Sequence, residues 1–191
     1  DWTRFYAGAH LWYSKAMLED QEAWIPRSKL PAFGSAVNAA CDAIDGIQDG
    51  IIQNPLACNF EPASIQCPIG IDNNSCLTQK QVTAVEKIWS GVETSNGELI
   101  YPGLVPGGEA DTGGWGRWVT GAEPFTSLHW LGGEGFFRWF VFDDPEWDFR
   151  TFDFNKDLEY ALEKVGDAVD SNNPDLRRLR DNGSKLIVYH G

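Results

Sequence analysis

Apolar side chains recur at helical spacing through the first stretch of the chain, at Trp2, Phe5, Ala9, Trp12, Ala16 and Met17, and predict one amphipathic helix across residues 1–18. His10 falls among the aromatics of that face and reads as a packed or surface histidine rather than a ligand. Pro26 and Pro31 punctuate a loop, after which the small residues from Gly34 to Cys41 predict a short helix. Thr78 with Gln81 three places on forms a capping box, opening a helix whose Val82, Val85, Ile88 and Trp89 share one side and which Gly91 ends. From Ser95 to Gly135 the chain is rich in glycine and poor in periodicity, the mark of a functional or disordered segment, and its Tyr101, Trp115, Trp118 and Trp130 argue against disorder. The run G-F-F-R-W-F-V-F, Gly135 to Phe142, reads as core or a buried hinge. Asn155 is placed to cap a helix bearing Leu158, Ala161, Leu162, Val165 and Val169; Asn173-Pro174 starts another, with Leu176 and Leu179, ended by Gly183. Leu186 to Tyr189 has the continuous apolar character of a strand buried in a parallel sheet. No other run supplies it with a parallel neighbour, and an unpaired strand leaves its peptide groups unsatisfied.

Composition narrows the picture. A chain of 191 residues that is 42% hydrophobic, with nine Trp and eleven Phe, is ample for one core. A net charge of −13 and a pI near 4.5 argue against nucleic acid or an anionic membrane as partner. No run approaches the roughly 18 apolar residues of a membrane span, and the opening D-W-T-R has no signal-peptide pattern.

The densest chemistry lies in C-D-A-I-D-G-I-Q-D-G-I-I, Cys41 to Ile52. Asp42, Asp45 and Asp49 are spaced so that a helical or tightly turned path brings three carboxylates to one side, where they repel. No Lys or Arg stands between Lys29 and Lys80, so a bound cation is the simplest neutraliser, and all-oxygen donors favour a hard ion such as Ca²⁺. Gly46 and Gly50 allow turns that face carbonyls inward as well. The spacing is not that of an EF-hand: Ile44 or Ile47 occupies the third place and Gln53 or Leu56 the twelfth. The competing reading is an acidic surface turn. Cys41, Cys58, Cys67 and Cys76 suggest two disulfides in an oxidising compartment, with three connectivities open; no C-x-x-C pair supports zinc. Asn73 and Asn182 head glycosylation sequons.

The order Cys41-Asp42-x-x-Asp45-Gly46-x-x-Asp49-Gly50-x-Ile52, followed by Pro55, Cys58, Phe60, Cys67 and Cys76-Leu77-Thr78, resembles the lid region of the tannase and feruloyl esterase family of secreted hydrolases. The closing K-L-I-V-Y-H-G, Lys185 to Gly191, is similar to the family strand that leads into the triad aspartate. The resemblance implies an α/β-hydrolase fold of which this chain is a fragment: a helix leaving the catalytic core (residues 1–20), a mixed helical and irregular lid (21–182) and one core strand (183–191). It implies a Ca²⁺ held by the side chains of Asp42, Asp45 and Asp49 and the carbonyls of Ile47 and Ile51, and disulfides joining Cys41 to Cys58 and Cys67 to Cys76.

The function so implied is that of the lid of a secreted, extracellular serine carboxylic ester hydrolase acting on aromatic phenolic acid esters of feruloyl or galloyl type. The catalytic serine, aspartate and histidine are expected outside the chain, in the remainder of the hydrolase core that would be its partner, so the chain alone is expected to be inactive. G-S-A-V at Gly34 to Val37 lacks the second glycine of a nucleophile elbow, and His190 is not taken for the triad base. Phe136, Phe137, Arg138 and Trp139 are the candidates for an aromatic wall with a cationic partner for a phenolic oxygen or carboxylate. The alternative is a calcium-stabilised module that binds aromatic or glycan ligands without catalysis, for which the aromatic density from Trp115 to Trp147 speaks.

Overall fold

The computed structural model describes residues 1–189 of the 191. The helix expected at the start forms, but its winding changes twice: α1 (Trp2–Phe5) runs into a π-helical stretch, Tyr6–Trp12, and then α2 (Tyr13–Leu18). Asp1 caps it by accepting from the Arg4 N–H at 2.8 Å. This helix is the hub of the molecule. Ala7, Leu11, Tyr13, Met17 and Leu18 are fully or almost fully buried in one core that also takes in Phe33, Val85, Ile88, Phe137 and Ala161. Residues expected to belong to a departing helix and to a separate lid therefore share a single hydrophobic interior.

α3 (Leu30–Cys41) starts earlier than the small-residue run predicts, because Pro31 occupies its first turn, where a missing N–H costs nothing, instead of ending a loop. α4 (Gln79–Ser90) begins with both bonds of the predicted capping box and stops at Gly91, whose φ of +77° only glycine adopts freely. Within the segment read as irregular, Ser95 to Gly135, β2 (Leu99–Tyr101) pairs antiparallel with β1 (Val92–Glu93) just before it, and two helices form, α5 (Trp115–Trp118) and α6 (Leu128–Gly135), the latter capped by Ser127 accepting from Trp130 N–H at 3.1 Å. A second π-helical stretch, Phe136–Phe142, continues α6. α7 (Lys156–Val169) carries the predicted apolar face, but the cap is Asp153, which accepts from the N–H groups of Asn155 and Lys156; the Asn155 side chain instead takes the Ser95 N–H at 2.7 Å.

Toward the C-terminus, Asn173 makes a turn by accepting from Asp175 N–H, and the short α8 (Arg177–Asp181) starts only afterwards. The buried parallel strand expected at Leu186–Tyr189 is not formed: these side chains are 57 to 92% exposed and the sole sheet among the described residues is the two-stranded hairpin. The missing parallel neighbour, already evident in the sequence, is the physical reason. His190 lies outside the described residues. Within them no helix is long and apolar enough to cross a membrane.

Candidate functional site

α3 delivers Cys41 to a 3₁₀ turn, Asp42–Asp45, and glycines with φ of +93° and +82° at Gly46 and Gly50 fold the acidic segment back on itself. Asp42 Oδ1 accepts from the N–H groups of Gly50 (2.9 Å) and Asp49 (3.3 Å), while Asp45 and Asp49 each accept from the N–H two residues on, at Ile47 and Ile51. The carboxylates thus shape the loop's own turns, and among the described residues no three His, Cys, Asp or Glu side chains converge as a metal cage. The donor set is entirely oxygen and among the described residues carries no cationic side chain in any ion pair, so its chemistry fits a hard divalent ion. Lys29, the nearest cation before the loop in sequence, is engaged elsewhere. It is buried and donates to Asp72 Oδ1 (2.5 Å), the Cys76 carbonyl (2.9 Å) and Gln81 Oε1 (2.8 Å).

Disulfides join Cys41 to Cys58 and Cys67 to Cys76, with Cα separations of 5.3 and 5.0 Å. Closing loops of 17 and 9 residues is worth about 3 kcal/mol each in the chain-entropy model. The acidic loop is tied by the first, and Lys29 ties the second to the foot of α4. Asn73 stands exposed within the second loop, and Asn182 is exposed at the end of α8.

The two π-helical stretches meet. Tyr6 and Phe136 stack at 4.4 Å between centroids and 9° between planes, and Phe140 continues the stack beyond Phe136 at 6.0 Å. Wider π winding places side chains that regular α periodicity would separate, and it recurs at functional sites. With Trp2, Leu131 and Val169 these rings line an open apolar cleft of about 440 Å³. Of the four residues predicted to form an aromatic wall, Phe136 lines this cleft. Phe137 is fully buried against Phe152 at 4.6 Å, Arg138 pairs with Glu134 at 2.5 Å and donates to the Trp147 carbonyl, and Trp139 is 54% exposed away from the lining. The sequence reading missed Trp2 and Tyr6 as lining residues: Trp2 was absorbed into the apolar period of the first helix, and Tyr6 falls outside that period.

His10 and His129 face each other in the interior, Nδ1 to Nδ1 at 3.4 Å, with His10 Nδ1 also 3.2 Å from the His129 carbonyl. Gly132 makes the approach possible, since a Cβ there would stand 2.6 Å from His10 Nδ1. Burial pushes the His129 imidazole down to about 3, with the His10 ring adding to the effect, and burial also lowers His10. Both rings are neutral near pH 7, and neither hydrogen-bonds a serine hydroxyl or a carboxylate among the described residues. A general base works best with a pKa near the operating pH, which His129 does not have.

The family model described as "Tannase and feruloyl esterase" matches residues 4–191. The chain is 36% identical over 152 residues to probable feruloyl esterase B of Emericella nidulans, covering 79% of this chain and 27% of that protein. It is 33% identical over 191 residues to an uncharacterized esterase of Xanthomonas campestris pv. campestris, covering 95% and 33%. Among solved structures, feruloyl esterase B from Aspergillus oryzae superposes with a TM-score of 0.72 at 24% identity, covering 95% of this chain and 35% of that one, and tannin acyl hydrolase from Aspergillus niger with 0.62 at 20% identity, covering 96% and 35%. The chain belongs to the tannase and feruloyl esterase family, and spans about a third or less of the length of the relatives it matches.

Proposed function

We propose that this chain is the lid portion of a secreted serine carboxylic ester hydrolase of the feruloyl esterase or tannase type, acting on esters of aromatic phenolic acids. The observation that carries the reading is the family match over almost the whole chain, combined with a matched share of only 27 to 35% of each relative. The nucleophilic serine, its histidine and its aspartate are assigned to the remainder of the hydrolase core. In that role a serine activated by the histidine forms an acyl-enzyme that water hydrolyses. This chain's part is to bind, orient and exclude water. The Tyr6, Phe136 and Phe140 stack with Trp2 offers faces on which an aromatic acyl ring can lie. The exposed run Leu186–Tyr189 supplies a strand for a parallel sheet of the core.

Calcium belongs to the same proposal. Asp42, Asp45 and Asp49, with the carbonyls of Ile47 and Ile51, would hold it, and it would neutralise the acidic loop beside the Cys41–Cys58 bridge. Secretion is supported by the two disulfides and two exposed sequons. The deciding experiment assays methyl ferulate and methyl gallate hydrolysis by the purified 191-residue chain and by the longer protein that carries it. Turnover is expected from the longer protein alone; hydrolysis by the isolated chain overturns the lid assignment.

A further inference from the structure

The arginines of this acidic chain stand mostly in ion pairs: Arg4, Arg138, Arg150, Arg177 and Arg180 each meet an Asp or Glu. Arg27 and Arg117 meet none among the described residues, although the chain carries 28 acidic residues against 15 Lys and Arg. Both line one cleft of about 360 Å³. Distant segments assemble it. Arg27 opens the 3₁₀ turn Arg27–Lys29 that leads into α3, Arg117 lies on α5, and Asp111 and Thr112 come from the turn before α5.

Tertiary contacts hold these walls in place. Arg27 Nε donates to the carbonyls of Gly116 (2.6 Å) and Gly121 (3.1 Å), which orients the guanidinium through its inner nitrogen, while its two terminal nitrogens have no partner among the described residues. Ala110 packs on Gly34, where a Cβ would stand 2.8 Å from the Ala110 methyl, so the turn is seated on the helix that Arg27 leads into. Within that turn the Gly108 and Asp111 carbonyls are taken by the N–H groups of Asp111 (3.2 Å) and Gly114 (2.9 Å). What it offers the cleft is therefore the Asp111 carboxylate and the Thr112 hydroxyl.

Two guanidiniums without acids of their own, one of them already oriented, match a carboxylate, which such groups grip through parallel N–H···O bonds. Asp111 defines the rest of the ligand. Together with the net charge of −13 it opposes a dianion such as phosphate, yet it accepts readily from a hydroxyl. Leu30 and Pro31, at the start of α3, give the C–H groups of a ring an apolar floor. We propose that this cleft binds a hexuronate, its carboxylate held by Arg27 and Arg117 and its ring hydroxyls by Asp111 and Thr112. The site shares no lining residue with the aromatic cleft and involves no ester, so it holds or fails apart from the esterase reading.

Saturation-transfer NMR of the longer protein that carries this chain tests the site, with sodium glucuronate, methyl glucoside and sodium acetate as probes and inorganic phosphate as competitor. Glucuronate is expected to receive transfer at its ring protons and methyl glucoside, which lacks the carboxylate, to receive none. Arg117 is exposed and its side chain makes no hydrogen bond or ion pair among the described residues, so Arg117→Gln is expected to fold, which melting curves check, and to raise the glucuronate Kd about tenfold, the loss of one charge-assisted contact. Asp111→Ala, also at an exposed position, is expected to weaken glucuronate relative to acetate, which has no hydroxyl to donate. No transfer to glucuronate, equal transfer to methyl glucoside, or an unaltered Kd in Arg117→Gln overturns the site. Phosphate that displaces glucuronate below the glucuronate Kd, or Asp111→Ala acting alike on glucuronate and acetate, overturns the sugar-acid assignment. If Arg117→Gln does not fold, Asp111→Ala decides by that last criterion.

Discussion

The histidine pair has a titration consequence. His10 and His129 have folded pKa values below the ordinary histidine value of 6.5 because burial disfavours the imidazolium. Between pH 6.5 and the folded values the unfolded chain binds protons that the folded chain refuses, so the stability present above pH 6.5 is lost as pH falls toward about 3. Asp148 and Asp153, whose carboxyls are held low by backbone N–H donors, lose stability in the same direction but only below the ordinary carboxylate value of 3.8. Glu109, raised by burial, acts with the opposite sign from its ordinary value of 4.5 upward, where it works against the histidines. Urea unfolding midpoints are therefore expected to fall between pH 6.5 and 5, and His129→Gln to flatten that slope; an unaltered slope would remove the histidine explanation. Lys29 acts through its partners. Lys29→Met strands the Cys76 carbonyl, while Gln81 keeps the Thr78 N–H and Asp72, 65% exposed, returns to water. The expected loss, read from denaturant unfolding, is about 1–3 kcal/mol.

At the scale of elements, the start of α7 separates a residue's type from its role. Asn155 looks like the cap in sequence, yet Asp153 receives the two leading N–H groups and Asn155 anchors the hairpin turn through Ser95. Asp153→Ala is expected to destabilise by about 0.5–2 kcal/mol, measurable as a lowered melting temperature. The contact of α6 with the first π-helical stretch is tighter still. Gly132→Ala pushes a methyl group into His10, an overpacking expected to cost about 1–3 kcal/mol and to disturb the stack of His10 on Tyr6 and of Tyr6 on Phe136, the latter two lining the aromatic cleft. Near-ultraviolet circular dichroism reads the second effect separately from stability.

For the whole molecule the acidic loop is the open variable. Its three carboxylates accept from the loop's own N–H groups, and the calcium proposal requires them to turn toward a shared ion. Under the calcium proposal, adding 1,000 times the Kd of Ca²⁺ stabilises by about 4 kcal/mol, and chelation reverses it. Asp45→Ala should lose that response; a melting temperature indifferent to chelator, with no metal found by elemental analysis, rejects the ion. The Leu186–Tyr189 run at the other end is a contiguous exposed apolar stretch, which under the lid proposal pairs with the hydrolase core.

Local signals with a complete chemical mechanism in a few residues were legible in the chain itself. The capping box of Thr78 and Gln81, the stop at Gly91, the apolar face of α7 and the family resemblance of the cysteine and aspartate spacing are of this kind, because each depends on neighbours a few positions away. Only the tertiary structure joined residues far apart: it stacked Tyr6 on Phe136, set His10 against His129, withdrew Phe137 and Arg138 from the cleft, and made Gln81 a buried partner of Lys29. It also showed the first helix winding through a π stretch, which no apolar period reveals, since the same face is buried either way. Side-chain chemistry and local spacing fix turns, caps and family; the position of a ring in a cleft depends on which distant backbone packs behind it, and that is a property of the folded chain.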